Sequence, residues 1–182
     1  VIQIDGFLPA PDAVREAARS ADFIDWHAPD GEVYKRICIC DVPGLLDGIE
    51  KAMGPVEMLG MGYRLNYAGE IPNAAIHSDL GWGTHAAVLY LCEGDGGTAF
   101  WEHKASGATG IDAGDSALFG AIQGDWNDAS KWGKRREIAL KYNRCAIYES
   151  RLFHSRWPFE AFGDSPANGR LIAVAFFNLR RE

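Results

Sequence analysis

From Glu57 onward the chain is written in short apolar runs of two-residue period, closed by glycine, asparagine or aspartate. That punctuation restricts it to a fold of many short strands. Met61, Tyr63, Leu65 and Tyr67 alternate ahead of Ala68-Gly69-Glu70, and Ala74 to Asp79 reads as the next strand. Thr84 to Cys92 and Thr98 to His103 flank Gly94-Asp95-Gly96-Gly97 and read as a hairpin. Ala117-Leu118-Phe119 reads as a short strand, and Ile122 to Glu137 as a long polar connection, partly helical. Strands resume at Ala139 to Tyr142, Cys145 to Glu149 and Leu152 to Arg156, and Arg170 to Asn178 closes the series. About eight strands punctuated in this way suit a mainly β fold, a double-sheet jelly roll of the cupin kind, also called a double-stranded β-helix.

Residues 1–56 have a different texture. Val1 to Phe7 reads as a strand, Pro11 to Arg19 as a helix with proline and an acid at its start, and Pro43 to Met53 as a second helix. Between the helices lie a polar loop, Ala28 to Val33, and a strand, Ile37 to Asp41. The expected organisation is one domain over residues 1–182, with 1–56 as a strand-and-helix buttress and 57–178 as the jelly-roll core. Flanking helices therefore accompany the sheets.

Composition narrows the function classes. The formal charge of −7 disfavours a nucleic-acid partner, since such affinity depends on basic side chains displacing counterions. The one basic cluster, Lys131 to Arg136, reads as a solvated helix face. No apolar run has the length of a membrane span and no leader is visible, so a soluble, cytoplasmic protein is expected. Cys38, Cys40, Cys92 and Cys145 form no C-x-x-C pair and read as reduced core residues.

The chemistry-bearing motif is His77-Ser78-Asp79. Positions i and i+2 of a strand share a face, so this histidine and carboxylate can hold one metal ion together. A second histidine would complete two His and one carboxylate, the set typical of non-haem Fe(II) oxygenases. His27, His85 and His103 read as surface or pocket-lining residues, whereas His154 comes late in the strand series, where a jelly roll can return it beside His77.

With His154 in place, the order His77, Asp79, His154, Arg170 resembles the 2-oxoglutarate/Fe(II)-dependent oxygenases. Leu65-Asn66-Tyr67-Ala68-Gly69, Gly96-Gly97-Thr98-Ala99-Phe100 and the approach to Phe153-His154-Ser155 resemble the flanking strands of prolyl-hydroxylase-like and AlkB-like members, over about residues 57–178. The resemblance implies an Fe(II) held by His77, Asp79 and His154, with 2-oxoglutarate and dioxygen as cosubstrates. It implies Arg170 as the partner of the far carboxylate of 2-oxoglutarate, a role suited to a planar guanidinium, with Arg156 and Arg64 as substitutes. Many members carry a hydroxyl residue two positions after that arginine. Here the position is Ile172, so Tyr67 or Tyr63 is expected to supply the missing hydrogen bond.

An aspartate at position 79 fills the place that related halogenases leave small, which favours hydroxylation over halogenation. The implied substrate is a small molecule, an amino acid or a peptidyl side chain, with Trp82, Trp101 and His103 as pocket residues and the 120–134 connection as a lid. Two other classes compete. A zinc-dependent hydrolase would use the same three ligands but has no need of a dicarboxylate anchor, and a silent jelly-roll binding module has no need of the ligand set.

Overall fold

The computed structural model describes residues 1–27, 33–70 and 75–180. Among these residues, ten strands lie in two antiparallel sheets. The large sheet has the order β1-β8-β5-β10-β4-β3-β2, formed by β1 (Ile2–Asp5), β8 (Arg144–Glu149), β5 (His85–Tyr90), β10 (Arg170–Leu179), β4 (Val56–Asn66), β3 (Val33–Ile39) and β2 (Ile24–His27). The small sheet has the order β7-β6-β9, formed by β7 (Trp132–Ala139), β6 (Gly97–His103) and β9 (His154–Trp157). Among the described residues three α-helices accompany them: α1 (Pro11–Arg19), α2 (Leu45–Met53) and α3 (Ser116–Ile122). The architecture is a jelly roll with flanking helices.

Strand β10 shows how the sequence divides the large sheet into two faces. Leu171, Ala173, Ala175 and Phe177 are all buried and join Val14, Ala18, Leu45 and Ile49 of α1 and α2 in the main core. Arg170, Ile172, Val174 and Phe176 point the other way, towards the small sheet, the first two buried and the last two partly open. The register carries this inner face sideways: Arg64 and Tyr90 flank Ile172, and Ala86 lies between Phe176 and Tyr148. A second core, with Phe153, Trp101 and Trp132, lies outside the small sheet under α3 and its connections.

Several expectations are corrected. The segments read as one hairpin are split between sheets, β5 in the large and β6 in the small. The Gly94–Gly97 turn is a crossing: Gly96 has φ +94° and a Cβ there would lie 2.2 Å from the carbonyl oxygen of Trp157. Ala117-Leu118-Phe119 is helical, within α3, because Asp115 caps the helix by accepting from the Leu118 amide at 3.0 Å. The polar connection ends in β7, so Lys134, Arg135 and Arg136 belong to an edge strand and not to a helix. Ala139 ends β7, and 140–143 is not a strand of its own.

At the N-terminal side, Ile24–His27 forms β2, which extends the large sheet with β3. Of the loop expected over Ala28 to Val33, residues 28–32 lie outside the described residues and Val33 begins β3. Ala74 also lies outside them, and 75–79 is an irregular segment with one isolated bridge, His77 to His154, in place of the expected strand. All four cysteines are free thiols. Among the described residues no helix is long and apolar enough to cross a membrane.

Candidate metal centre

The segment carrying His77 and Asp79 is pinned from both sides. His77 and His154 exchange backbone hydrogen bonds, Asp79 donates its amide to the Ser150 carbonyl at 2.8 Å, and fully buried Ile76 donates to Trp126. These contacts place three donor groups together. His77 Nε2 is 3.5 Å from Asp79 Oδ1, and His154 Nε2 is 3.1 Å from Asp79 Oδ2. One ligand atom from each of His77, Asp79 and His154 lies within 4.8 Å of the others. His154 is buried, the Asp79 side chain nearly so, and the His77 side chain is half-exposed at the mouth.

Both imidazoles are oriented by the same device. Nδ1 of His77 lies 2.9 Å from the Ala75 carbonyl and Nδ1 of His154 lies 2.9 Å from the Leu152 carbonyl. A carbonyl oxygen only accepts, so each Nδ1 carries the proton and donates it. In the neutral rings each Nε2 is then a lone pair aimed at a carboxylate oxygen, and lone pair against anion is repulsive unless a cation or a proton lies between them. Two neutral imidazoles and a carboxylate with this support are a donor set suited to a divalent transition metal. The electrostatics agree. Burial pushes the Asp79 carboxyl up, but His154 and His77 outweigh it and hold the group well below its ordinary range. For His77, burial lowers the imidazole but Asp79 outweighs it and raises the group.

Behind the triad the inner face is cationic. Arg170 is buried, lies 5.8 Å from the centroid of the Tyr90 ring, and donates weakly to the Gly97 carbonyl at 3.5 Å. Its Nε has no partner among the described residues. Arg156 faces the same interior from β9, donating Nε to the Phe159 carbonyl at 2.9 Å, and burial together with Arg170 and Arg64 lowers its pKa to about 9. The Arg64 guanidinium is pulled down by burial and by Arg170, and held up by Tyr34, Asp79 and Tyr148. Three buried or half-buried guanidinium groups facing one space suit an anionic ligand.

The remaining site candidates are dispersed. Tyr63 is on the opposite face of β4, in the main core beside Cys38 and Cys40, and burial pushes its phenol up to about 12. Tyr67 lies at the rim, under the Arg36 guanidinium at 4.1 Å. Trp101 and His103 are buried in and against the second core: Trp101 donates to Ser155 Oγ, and His103 bonds to Ser106 and Asp125. Trp82 is half-exposed, one helical turn from Asp79, and stacks on Phe176.

The structure adds residues that the sequence reading passed over. Tyr148 packs on the His154 ring at 4.7 Å, and burial, reinforced by Asp79, holds its phenol well above the ordinary value. Tyr90 lies beside Arg170 and bonds to Thr98 at 2.7 Å. The available signal was the alternation Ala86, Val88, Tyr90, which puts this hydroxyl on the face that Arg170 shares.

Comparisons with solved structures agree on the fold. SnoK, a non-heme alpha-ketoglutarate-dependent carbocyclase from nogalamycin biosynthesis, is 12% identical, with 97% of this chain and 78% of that one covered and a TM-score of 0.62. SnoN, the corresponding epimerase of the same biosynthesis, is 16% identical over 97% of this chain and 77% of that one, with a TM-score of 0.57. AviO1 from Streptomyces viridochromogenes Tue57 is 14% identical over 93% of this chain and 85% of that one, with a TM-score of 0.55. The fold is thus the jelly roll that these proteins share. No curated protein matches the sequence. The profile of a family of unknown function, DUF6445, matches residues 71–177, a span that holds the whole His77, Asp79, His154 and Arg170 set, and the chain belongs to that family.

Proposed function

We propose that this protein is an Fe(II)- and 2-oxoglutarate-dependent dioxygenase that oxidises a C–H bond of a small-molecule or peptidyl substrate, releasing succinate and CO2. The observation that carries the reading is the pair of carbonyl-oriented imidazoles whose Nε2 atoms converge on Asp79, in front of an interior lined by Arg170. In this reading His77, Asp79 and His154 hold the metal and Arg170 pairs with the far carboxylate of 2-oxoglutarate. Bound iron with 2-oxoglutarate and dioxygen supplies the oxidising power.

The chain's own contribution is geometric and electrostatic. Arg170, buried and with an unpartnered Nε, offers a charge-assisted hydrogen bond to a carboxylate. Tyr90, opposite Ile172 and beside Arg170, is better placed than Tyr63, which faces the helices; to serve the cosubstrate its one proton turns from the Ile138 carbonyl, with Thr98 still bonded to its oxygen. Tyr148 and Phe100 wall one side of His154 and keep water from it. Asp79 occupies the position that halide would need, which favours hydroxylation, or an oxidation beginning with the same hydrogen abstraction.

The test is anaerobic addition of Fe(II) and 2-oxoglutarate with visible absorption recorded throughout. A metal-to-ligand charge-transfer band is the expected result, and its absence under saturating conditions would refute the reading in favour of a zinc hydrolase or a binding module. A substrate screen read by product mass, with a gain of one oxygen, then identifies the reaction.

A further inference from the structure

Arg64 is a cation for which the dicarboxylate reading has no use. Of the three guanidinium groups facing the interior, Arg170 is the deepest and is assigned to 2-oxoglutarate. Arg156 is tied to the Phe159 carbonyl, with Glu160 nearby. Arg64 has neither an ion-pair nor a hydrogen-bond partner among the described residues, and its Nε is closed off from solvent. Its guanidinium lies 5.6 Å from the Tyr34 ring centroid.

From Arg64 an aromatic border runs round to the metal ligands. Tyr34 and Trp26 lie 5.4 Å apart, Trp26 and Trp82 5.9 Å, and Trp82 and Phe176 5.7 Å. Trp82 closes the turn that begins at Asp79, donating its amide to the Asp79 carbonyl at 2.9 Å. The register puts Arg64 opposite Ile172, four residues from Phe176 along β10, a separation of about 13 Å of strand. This border is partly open to solvent, with Trp82 50% exposed. A ligand spanning it needs a flat apolar body and one anionic end.

We propose that Arg64 selects the prime substrate, pairing with the carboxylate of a small aromatic acid whose ring lies along the Tyr34, Trp26, Trp82 and Phe176 border. The assignment rests on the oxygenase reading, which places the oxidised carbon before His77, Asp79 and His154. Arg64 is a specificity residue here, distinct from the cosubstrate anchor. The guanidinium fork suits a carboxylate, and Arg64, which feels Asp79 only at a distance, gains a direct partner when the acid binds.

The test uses the Fe(II) protein with saturating 2-oxoglutarate under anaerobic conditions, so that Arg170 is occupied. Indole-3-propionate and its amide are the probes, and binding is read by ligand-observed NMR and calorimetry. The wild type should bind the acid at least about ten-fold more tightly than the amide, and Arg64→Gln should reduce that preference to about two-fold or less. Arg64→Lys, which keeps the charge and loses the fork, should fall between them. Trp82→Ala should weaken acid and amide alike. The 2-oxoglutarate titration of the charge-transfer band should be unchanged in Arg64→Gln.

Equal binding of acid and amide by the wild type, no binding of either, or an acid preference that survives Arg64→Gln would overturn the proposal. So would a raised 2-oxoglutarate requirement in Arg64→Gln, which would make Arg64 part of the cosubstrate site. A missing charge-transfer band with an Arg64-dependent acid preference would instead sink the oxygenase reading and leave the Arg64 assignment standing.

Discussion

His77 and His154, far apart in sequence, exchange both backbone hydrogen bonds, 3.0 Å one way and 2.8 Å the other, so that two ligand-bearing segments are fixed by main chain before any metal is considered. Side chains on such a pair start from a common backbone reference, and the carbonyls that orient their rings belong to the same two segments.

A divalent metal should therefore stabilise the folded protein by binding a preorganised site. At a metal concentration about one hundred times Kd the gain is about 2.7 kcal/mol. A thermal-shift titration with Fe(II), Ni(II) or Zn(II) should show a rise in Tm that EDTA reverses. In His154→Ala, which removes the buried ligand, the rise should vanish.

Arg170→Ala should raise the 2-oxoglutarate concentration needed to form the charge-transfer band by roughly 10- to 100-fold, the loss expected for one charge-assisted hydrogen bond. Metal affinity, measured without 2-oxoglutarate, should stay near the wild-type value. An unchanged 2-oxoglutarate requirement would move the anchor to Arg156 or Arg64.

Tyr90→Phe should cost about 1–2 kcal/mol in urea denaturation. The hydroxyl joins the large sheet to the small one, meeting Thr98 Oγ1 at 2.7 Å and donating to the Ile138 carbonyl at 3.3 Å, and its removal leaves Thr98 short of a partner in a buried place. If Tyr90 also serves the cosubstrate, the same variant will weaken 2-oxoglutarate binding.

Acid should loosen the N-terminal edge first. Hydrogen bonds from Arg144 and Lys141 hold the Asp5 carboxyl below its ordinary value of 3.8. A carboxyl depressed in the folded state contributes stability that is fully present well above the unfolded value and is lost as pH falls from there towards the folded one. Hydrogen exchange of the β1 amides should accelerate below about pH 4, and Asp5→Asn should remove that pH dependence.

Elements with an unambiguous period were legible in the sequence. Pro11 to Arg19 is a helix at the bounds expected, and β10 starts at the expected Arg170 and runs one residue further, to Leu179. The apolar run Ala117-Leu118-Phe119 was too short for periodicity to tell helix from strand, and the deciding signal was Asp115 as a cap. Strand β7 was hidden by its charges. It is an edge strand whose Arg135 pairs with Glu102 on β6 and whose Lys134 pairs with Glu137, so its exposed polar side chains mimic a loop. The hairpin reading failed because glycines that permit a tight turn equally permit a close crossing between sheets.

At the site, residue types and order pointed to the four residues that the fold brings to one interior. Which tyrosine accompanies Arg170 depends on strand facing and on where β4 ends. Tyr63 and Arg64 are neighbours in sequence and belong to opposite faces of one sheet.

The two-sided character of β10 has an evolutionary and practical consequence. Residues that pack against the helices and residues that face the interior between the sheets alternate along a single strand, so they can be varied independently even though they are adjacent in the gene. A library that randomises Val174 and Phe176 while fixing Arg170 and the odd-numbered positions should yield mostly folded variants with altered ligand preference. Members of the family could thus diverge in what they accept while inheriting the same scaffold.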